Sequence, residues 1–68
     1  MDFSKEELTE AKRQIDSTLH KLRAAIRTLR AKERPERYRA QITLAERRVK
    51  AFELAGALID RELDHRAD

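Results

Sequence analysis

Two stripes of apolar residues run along the chain at alternating spacings of four and three. The first passes through Leu8, Lys12, Ile15, Leu19, Leu22, Ile26 and Leu29, and Lys12 is its one polar member. The second passes through Tyr38, Ile42, Ala45, Val49, Phe52, Gly56, Ile59 and Leu63. Such spacing keeps one face of an α-helix apolar and repeats every seven residues, as in helices that pack along a seam. Phe3-Ser4-Lys5-Glu6-Glu7-Leu8 reads as a helix start. Ser4 is placed to cap the N–H of Glu7, Glu7 to reach back, and Phe3 and Leu8 to form a hydrophobic staple. The expectation is an all-α chain with a helix over about 5–32, a turn at 33–35 and a helix over about 36–65.

Pro35 decides the turn. It lacks an N–H and disfavours helical geometry at Arg34, yet it suits the first turn of a new helix. The alternative is one kinked helix of about 60 residues, roughly 90 Å long at 1.5 Å per residue. Two features favour a hairpin: the segments flanking Pro35 are nearly equal in length, and their stripes match in register. Antiparallel partners have residue numbers with a constant sum. Leu29 with Tyr38, Ile26 with Ile42, Leu22 with Ala45 and Leu19 with Val49 sum to 67 or 68. So do Ile15 with Phe52, Lys12 with Gly56 and Leu8 with Ile59, so that the misfit lysine meets the only glycine.

The heptads also predict two unlike flanks. With Leu8, Ile15, Leu22 and Leu29 at position d, the g flank of the first helix holds Ala11, Thr18 and Ala25. On the second helix, Gln41, Arg48, Ala55 and Glu62 lie at g, Leu44, Ala51 and Leu58 lie beyond it at c, and Leu54 lies further round. In an antiparallel hairpin the two g flanks share one side. That side, comprising Ala11, Ala25, Leu44, Ala51, Leu54, Ala55 and Leu58, is expected to be an oligomer interface, because exposed apolar patches of this size mark partner surfaces. Its simplest partner is a second copy, completing a four-helix bundle, as a homodimer or, in a larger assembly, a tetramer.

The opposite side is basic. Arg13, Arg23, Arg27, Arg30 and Arg34 fall on one stripe of the first helix with His20, interrupted by Asp16. Across the seam Arg23 is expected beside Glu46, with Asp16 near Glu53 and Arg30 near Arg39 as unfavourable pairs, so that charge does not set the register. The net charge of +3 is uneven: residues 20–39 hold eight bases and two acids, whereas both flanking thirds are weakly acidic. Such a block attracts anions, either nucleic acid or an acidic protein surface.

Composition narrows the classes further. The chain has 68 residues, 43 % charged and 40 % apolar, with one glycine, one proline and no cysteine. That is one small domain over residues 1–68, too short for a walled catalytic pocket and without thiols for disulfides or metal sites. A core this small favours self-association. The longest apolar run, Leu54 to Ile59, has six residues against the roughly 20 a membrane span needs. Met1-Asp2 opens acidic, with no secretory pattern, so a cytoplasmic protein is expected.

Candidate chemistry is sparse. Glu62-Leu63-Asp64-His65 has the Glu-x-x-His spacing of di-iron bundles, but Lys5 stands opposite it and it occupies the last turn. Asp16 and His20 could pair at i, i+4, and no nucleophile accompanies them. Neither a metal, a cofactor, a small-molecule substrate nor catalysis is expected. In length and heptad pattern the chain resembles the Rop-type plasmid-copy-control bundles, though it carries no residue-specific RNA-binding motif of theirs. The resemblance implies an antiparallel hairpin that dimerises into a four-helix bundle, and it adds RNA to the candidate ligands. The sequence thus predicts a non-enzymatic interaction or structural protein, a homo-oligomeric bundle binding another macromolecule. The alternative is a Rop-like RNA- or DNA-binding dimer using the basic face of the first helix.

Overall fold

The computed structural model describes residues 2–66. Helix α1 spans Lys5–Arg30, a single 3-10 turn spans Pro35–Tyr38, and helix α2 spans Arg39–His65. The described residues contain no strand. The molecule is 51 Å long and 16 by 15 Å across, two helices wide and far shorter than one continuous helix. The chain is an antiparallel helical hairpin.

Helix α1 begins where its sequence says it should. Ser4 Oγ accepts from the Glu7 N–H at 3.0 Å, and Glu7 Oε1 accepts from the Ser4 N–H at 2.9 Å, closing the capping box. The Ser4 backbone N–H, and then its hydroxyl, hold the Glu7 carboxyl below its ordinary pKa. Its contribution is therefore complete above the usual carboxylate range and is lost as pH falls through that depressed value. Phe3 and Leu8 line one cleft, as a staple requires.

The helix ends come at slightly different places from those expected. α1 stops at Arg30, two residues early, with the Ala31 N–H bonded to the Arg27 carbonyl at 3.0 Å. Arg34 is driven out of the helical region, to φ −129° and ψ 76°, by the proline that follows it. Reversal therefore occupies residues 31–34. Pro35 opens the next turn, but Arg34 supplies no side-chain cap, and the first turn tightens to i→i+3 bonding. The Arg37 N–H bonds to the Arg34 carbonyl at 3.1 Å, and α-helical winding begins only at Arg39.

Leu8, Leu19, Ile26 and Gly56 are the buried residues of the seam. The remaining apolar members, including Ile15, Leu22, Ile42, Val49, Phe52 and Ile59, are half-buried. Among the described residues no side chain is fully enclosed. Two helices cannot do better, because each seam residue is covered from one direction only.

Lys12 enters this seam through the gap left by Gly56. A Cβ built on Gly56 would stand 3.2 Å from Lys12 Cε and 3.6 Å from Ile15 Cγ2. The lysine stem thus lies across the α2 backbone, and its ammonium emerges to donate to Asp60 Oδ2 at 2.9 Å, with Asp16 at 3.7 Å. The hydrogen bond to Asp60 holds the Lys12 ammonium above its ordinary pKa. Gly56→Ala replaces the poorest interior helix former but one with the best, a gain of about 1 kcal/mol. The atom it crowds is the far end of a flexible side chain. We expect net stabilisation of about 0.5 kcal/mol or more, a rise of a few degrees in Tm. A lower Tm by circular dichroism would show that the lysine stem cannot yield.

Candidate functional site

Among the described residues three ion pairs cross the hairpin, and all lie on one flank. Arg23 Nη2 meets Glu53 Oε2 at 2.6 Å, Arg30 pairs with Glu46, and Lys12 pairs with Asp60. The expected neighbours Arg23 and Glu46, Asp16 and Glu53, and Arg30 and Arg39 are replaced by these. The reason is the lean of helical side chains toward the N-terminus of their own helix. In a hairpin the leans oppose: α1 side chains tilt away from the turn and α2 side chains tilt toward it. A long arginine therefore meets an acid about two turns farther along α2 than the residue level with it. Asp16, Glu53 and Arg30 each have an opposite-charge partner instead.

This pairing reorganises the basic stripe. Of the five arginines expected to form an anion-binding face, Arg23 and Arg30 are bound to α2 glutamates and Arg13 to Glu10 of its own helix. Arg27 and Arg34 make no ion pair among the described residues. Arg23, Arg27, Arg30 and Glu46 rim an open cleft of about 430 Å³ floored by Ile26 and Val49. A second concentration of charge is at the turn, where Lys32, Glu33, Arg34 and Arg37 surround half-buried Tyr38. The Lys32 ammonium stands 5.7 Å from the Tyr38 ring centre, within cation–π range.

Because Arg23, Arg30, Glu46, Glu53 and Asp60 of these pairs occupy e positions, with Lys12 reaching them from the seam, the g positions share the opposite flank. Leu44 and Leu58 are 49 % and 55 % exposed there, and Leu54, further round α2, is 63 % exposed. Ala25 and Ala51 are exposed, and Ala11, Thr18 and Ala55 half-buried. Phe3 adds to this side: it is 47 % exposed and lines a cleft with Leu8, Leu58 and Ile59. The heptad pattern did not place Phe3 on this side because it precedes α1 and has no heptad position. Its large apolar ring beside a c-position leucine was the available signal.

The accessible surface is 5677 Å². A folded monomer of 8.0 kDa is expected to expose about 4,500 Å², so the excess is about 1,200 Å². A standard interface removes about 800 Å² from each partner. The hairpin exposes enough surplus surface for one.

No comparable concentration of chemistry exists elsewhere. Among the described residues no cluster of three or more histidine, cysteine, aspartate or glutamate side chains could hold a metal. Glu62, of the Glu-x-x-His spacing, lies 3.5 Å from Arg66 instead, and Asp16 turns to Lys12 rather than to His20. No described helix is long and apolar enough to cross a membrane. No family model matches the chain, and no similar curated protein or solved structure is found. The resemblance to Rop-type bundles thus rests on length and heptad pattern alone.

Both partners of the Arg23–Glu53 pair are about half exposed. Pairs of that kind contribute about 0.2–1 kcal/mol. A double-mutant cycle over Arg23→Ala and Glu53→Ala is expected to give a coupling in that range that shrinks in 1 M NaCl. Zero coupling at low salt would remove this pair from the forces that set the register.

Proposed function

We propose that this chain is a non-enzymatic interaction protein, a helical hairpin that assembles through its apolar flank into a homo-oligomeric four-helix bundle and then binds another macromolecule. The observation that carries the reading is the exposed row Leu44, Ala51 and Leu58 beside the small-residue flank of α1. That no side chain among the described residues is fully enclosed points the same way. Isolated two-helix units of this size seldom retain the few kcal/mol that define a stable fold, and pairing two hairpins gives every seam residue a second covering layer.

The competing reading, an RNA- or DNA-binding dimer using the α1 arginines, draws on fewer free charges than the sequence suggested. Arg27 and Arg34 remain for phosphate, together with the cations of the turn. Gel shifts against generic RNA and DNA at two salt concentrations test it. Binding at low salt that weakens steeply with added salt supports it; its absence at low salt removes it.

Leu44→Glu combined with Leu58→Glu tests assembly. Burying two carboxylates in an apolar interface costs several kcal/mol, comparable to the whole stability of a domain this small. The double variant is expected to sediment as a monomer with reduced helicity at micromolar concentration, whereas the parent sediments as an oligomer. A parent that sediments as a fully helical 8.0 kDa monomer would overturn the reading.

A further inference from the structure

We infer that the second copy docks head to tail, the turn of each hairpin lying beside the chain ends of its partner. The inference rests on the bundle reading above and adds its direction. In a two-fold dimer formed through the g flank, the axis lies in the interface and has two choices. An axis along the helices puts both turns at one end and α1 against the partner's α2. An axis across the helices puts the turns at opposite ends, with α1 against α1 and α2 against α2.

The flank suits the second choice in its spacing. Ala11 and Ala25 stand seven residues either side of Thr18, and Leu44 and Leu58 stand seven either side of Ala51. Thr18 and Ala51 are level with one another in the seam register. One axis through that level pairs Ala11 with the partner's Ala25 and Leu44 with the partner's Leu58, while Thr18 and Ala51 each meet their own copy. The contact is self-complementary, as a two-fold interface must be. It is narrow where alanines oppose and wide where leucines do. Packing also admits the first choice, which sets Ala11 against the partner's Leu58, so packing alone does not select the direction.

Charge selects it. Residues 27–39, around the turn, hold six bases and two acids, a balance of +4. At the other end, residues 2–10 hold one base and four acids, and residues 60–66 hold two bases and three acids, together −4 with His65 neutral. Ion pairing within the hairpin reduces this contrast without reversing it: Glu46 offsets Arg30 at the turn, and Lys12 and Arg13 offset Asp60 and Glu10 at the other end, which leaves +3 and −2. Lys32, Arg34, Arg37 and Arg39 at the turn, and Asp2 and Glu6 at the opposite end, have no ion-pair partner among the described residues. Packed helices lie 8–10 Å apart, about one Debye length at physiological salt, so adjoining poles interact while poles 40 Å apart are screened. Parallel hairpins would set two positive poles side by side and two negative poles side by side. Head-to-tail hairpins set a positive pole beside a negative one twice.

The chain has no cysteine, so Arg34→Cys gives a single labelling site on an exposed turn residue. Sedimentation of the spin-labelled protein first fixes its state, and pulsed dipolar spectroscopy then measures the label separation. Head-to-tail docking about Thr18 places the labels roughly 40–50 Å apart at 1.5 Å per residue. A dimer with labels closer than about 20 Å would overturn the direction and leave the bundle standing. A monomer at all micromolar concentrations would overturn both. As a second readout, a mixture of Arg34→Cys and Lys5→Cys chains is expected to give a short turn-to-end distance in mixed dimers. A mixed-dimer distance near the full helix length would refute the head-to-tail arrangement.

Discussion

A pair of helices has one seam and two flanks, and the arrangement of this protein follows from what each flank does. The seam gathers the branched and aromatic side chains but shields none of them completely, since there is no third layer. The e flank is closed by Arg23–Glu53, Arg30–Glu46 and Lys12–Asp60, which tie α1 to α2 with charge. The g flank has no such ties. It leaves Ala25, Leu44, Ala51 and Leu58 exposed and Ala11 and Ala55 half-buried, so the hairpin is tied by charge on one side and not on the other.

Pro35 makes that geometry available. By excluding Arg34 from helical geometry it stops α1 and turns the chain, and by fitting the first turn of a helix it starts the return. The turn is also where unpaired basic residues accumulate, since among the described residues no ion pair reaches Lys32, Arg34, Arg37 or Arg39. The polarity of the molecule, positive at the turn and negative at the chain ends, is therefore a product of the same reversal that builds the seam.

Much of this architecture was legible in the chain. The capping box at Ser4 and Glu7, the reversal near Pro35 and the meeting of Lys12 with Gly56 all follow from local chemistry or constant-sum register. The e-flank pairing was not legible from register alone. Level positions put Arg23 beside Glu46, whereas opposed side-chain leans carry it to Glu53. The expected basic face was overstated for the same reason, since lean brings Glu46 and Glu53 within reach of two of its arginines. The outer ends of both helices fall where expected, whereas α1 stops two residues early and α2 starts three residues late, because an uncapped, proline-led first turn winds as a 3-10 turn. Phe3 was read only as a staple, its place beside Leu58 being a matter of tertiary geometry.

The crossing of Lys12 over Gly56 sorts alignments as well as filling space. Shift either helix by one heptad and Lys12 faces Val49 or Leu63, with no gap for its stem and an aliphatic branch where its ammonium should pass. At the other seam positions the shift exchanges one apolar residue for another, of different size but without a charge to place. The lysine and the glycine thus form a two-residue key that distinguishes one alignment from its otherwise equivalent neighbours. The lone polar residue of the stripe is what makes the repeat non-repetitive.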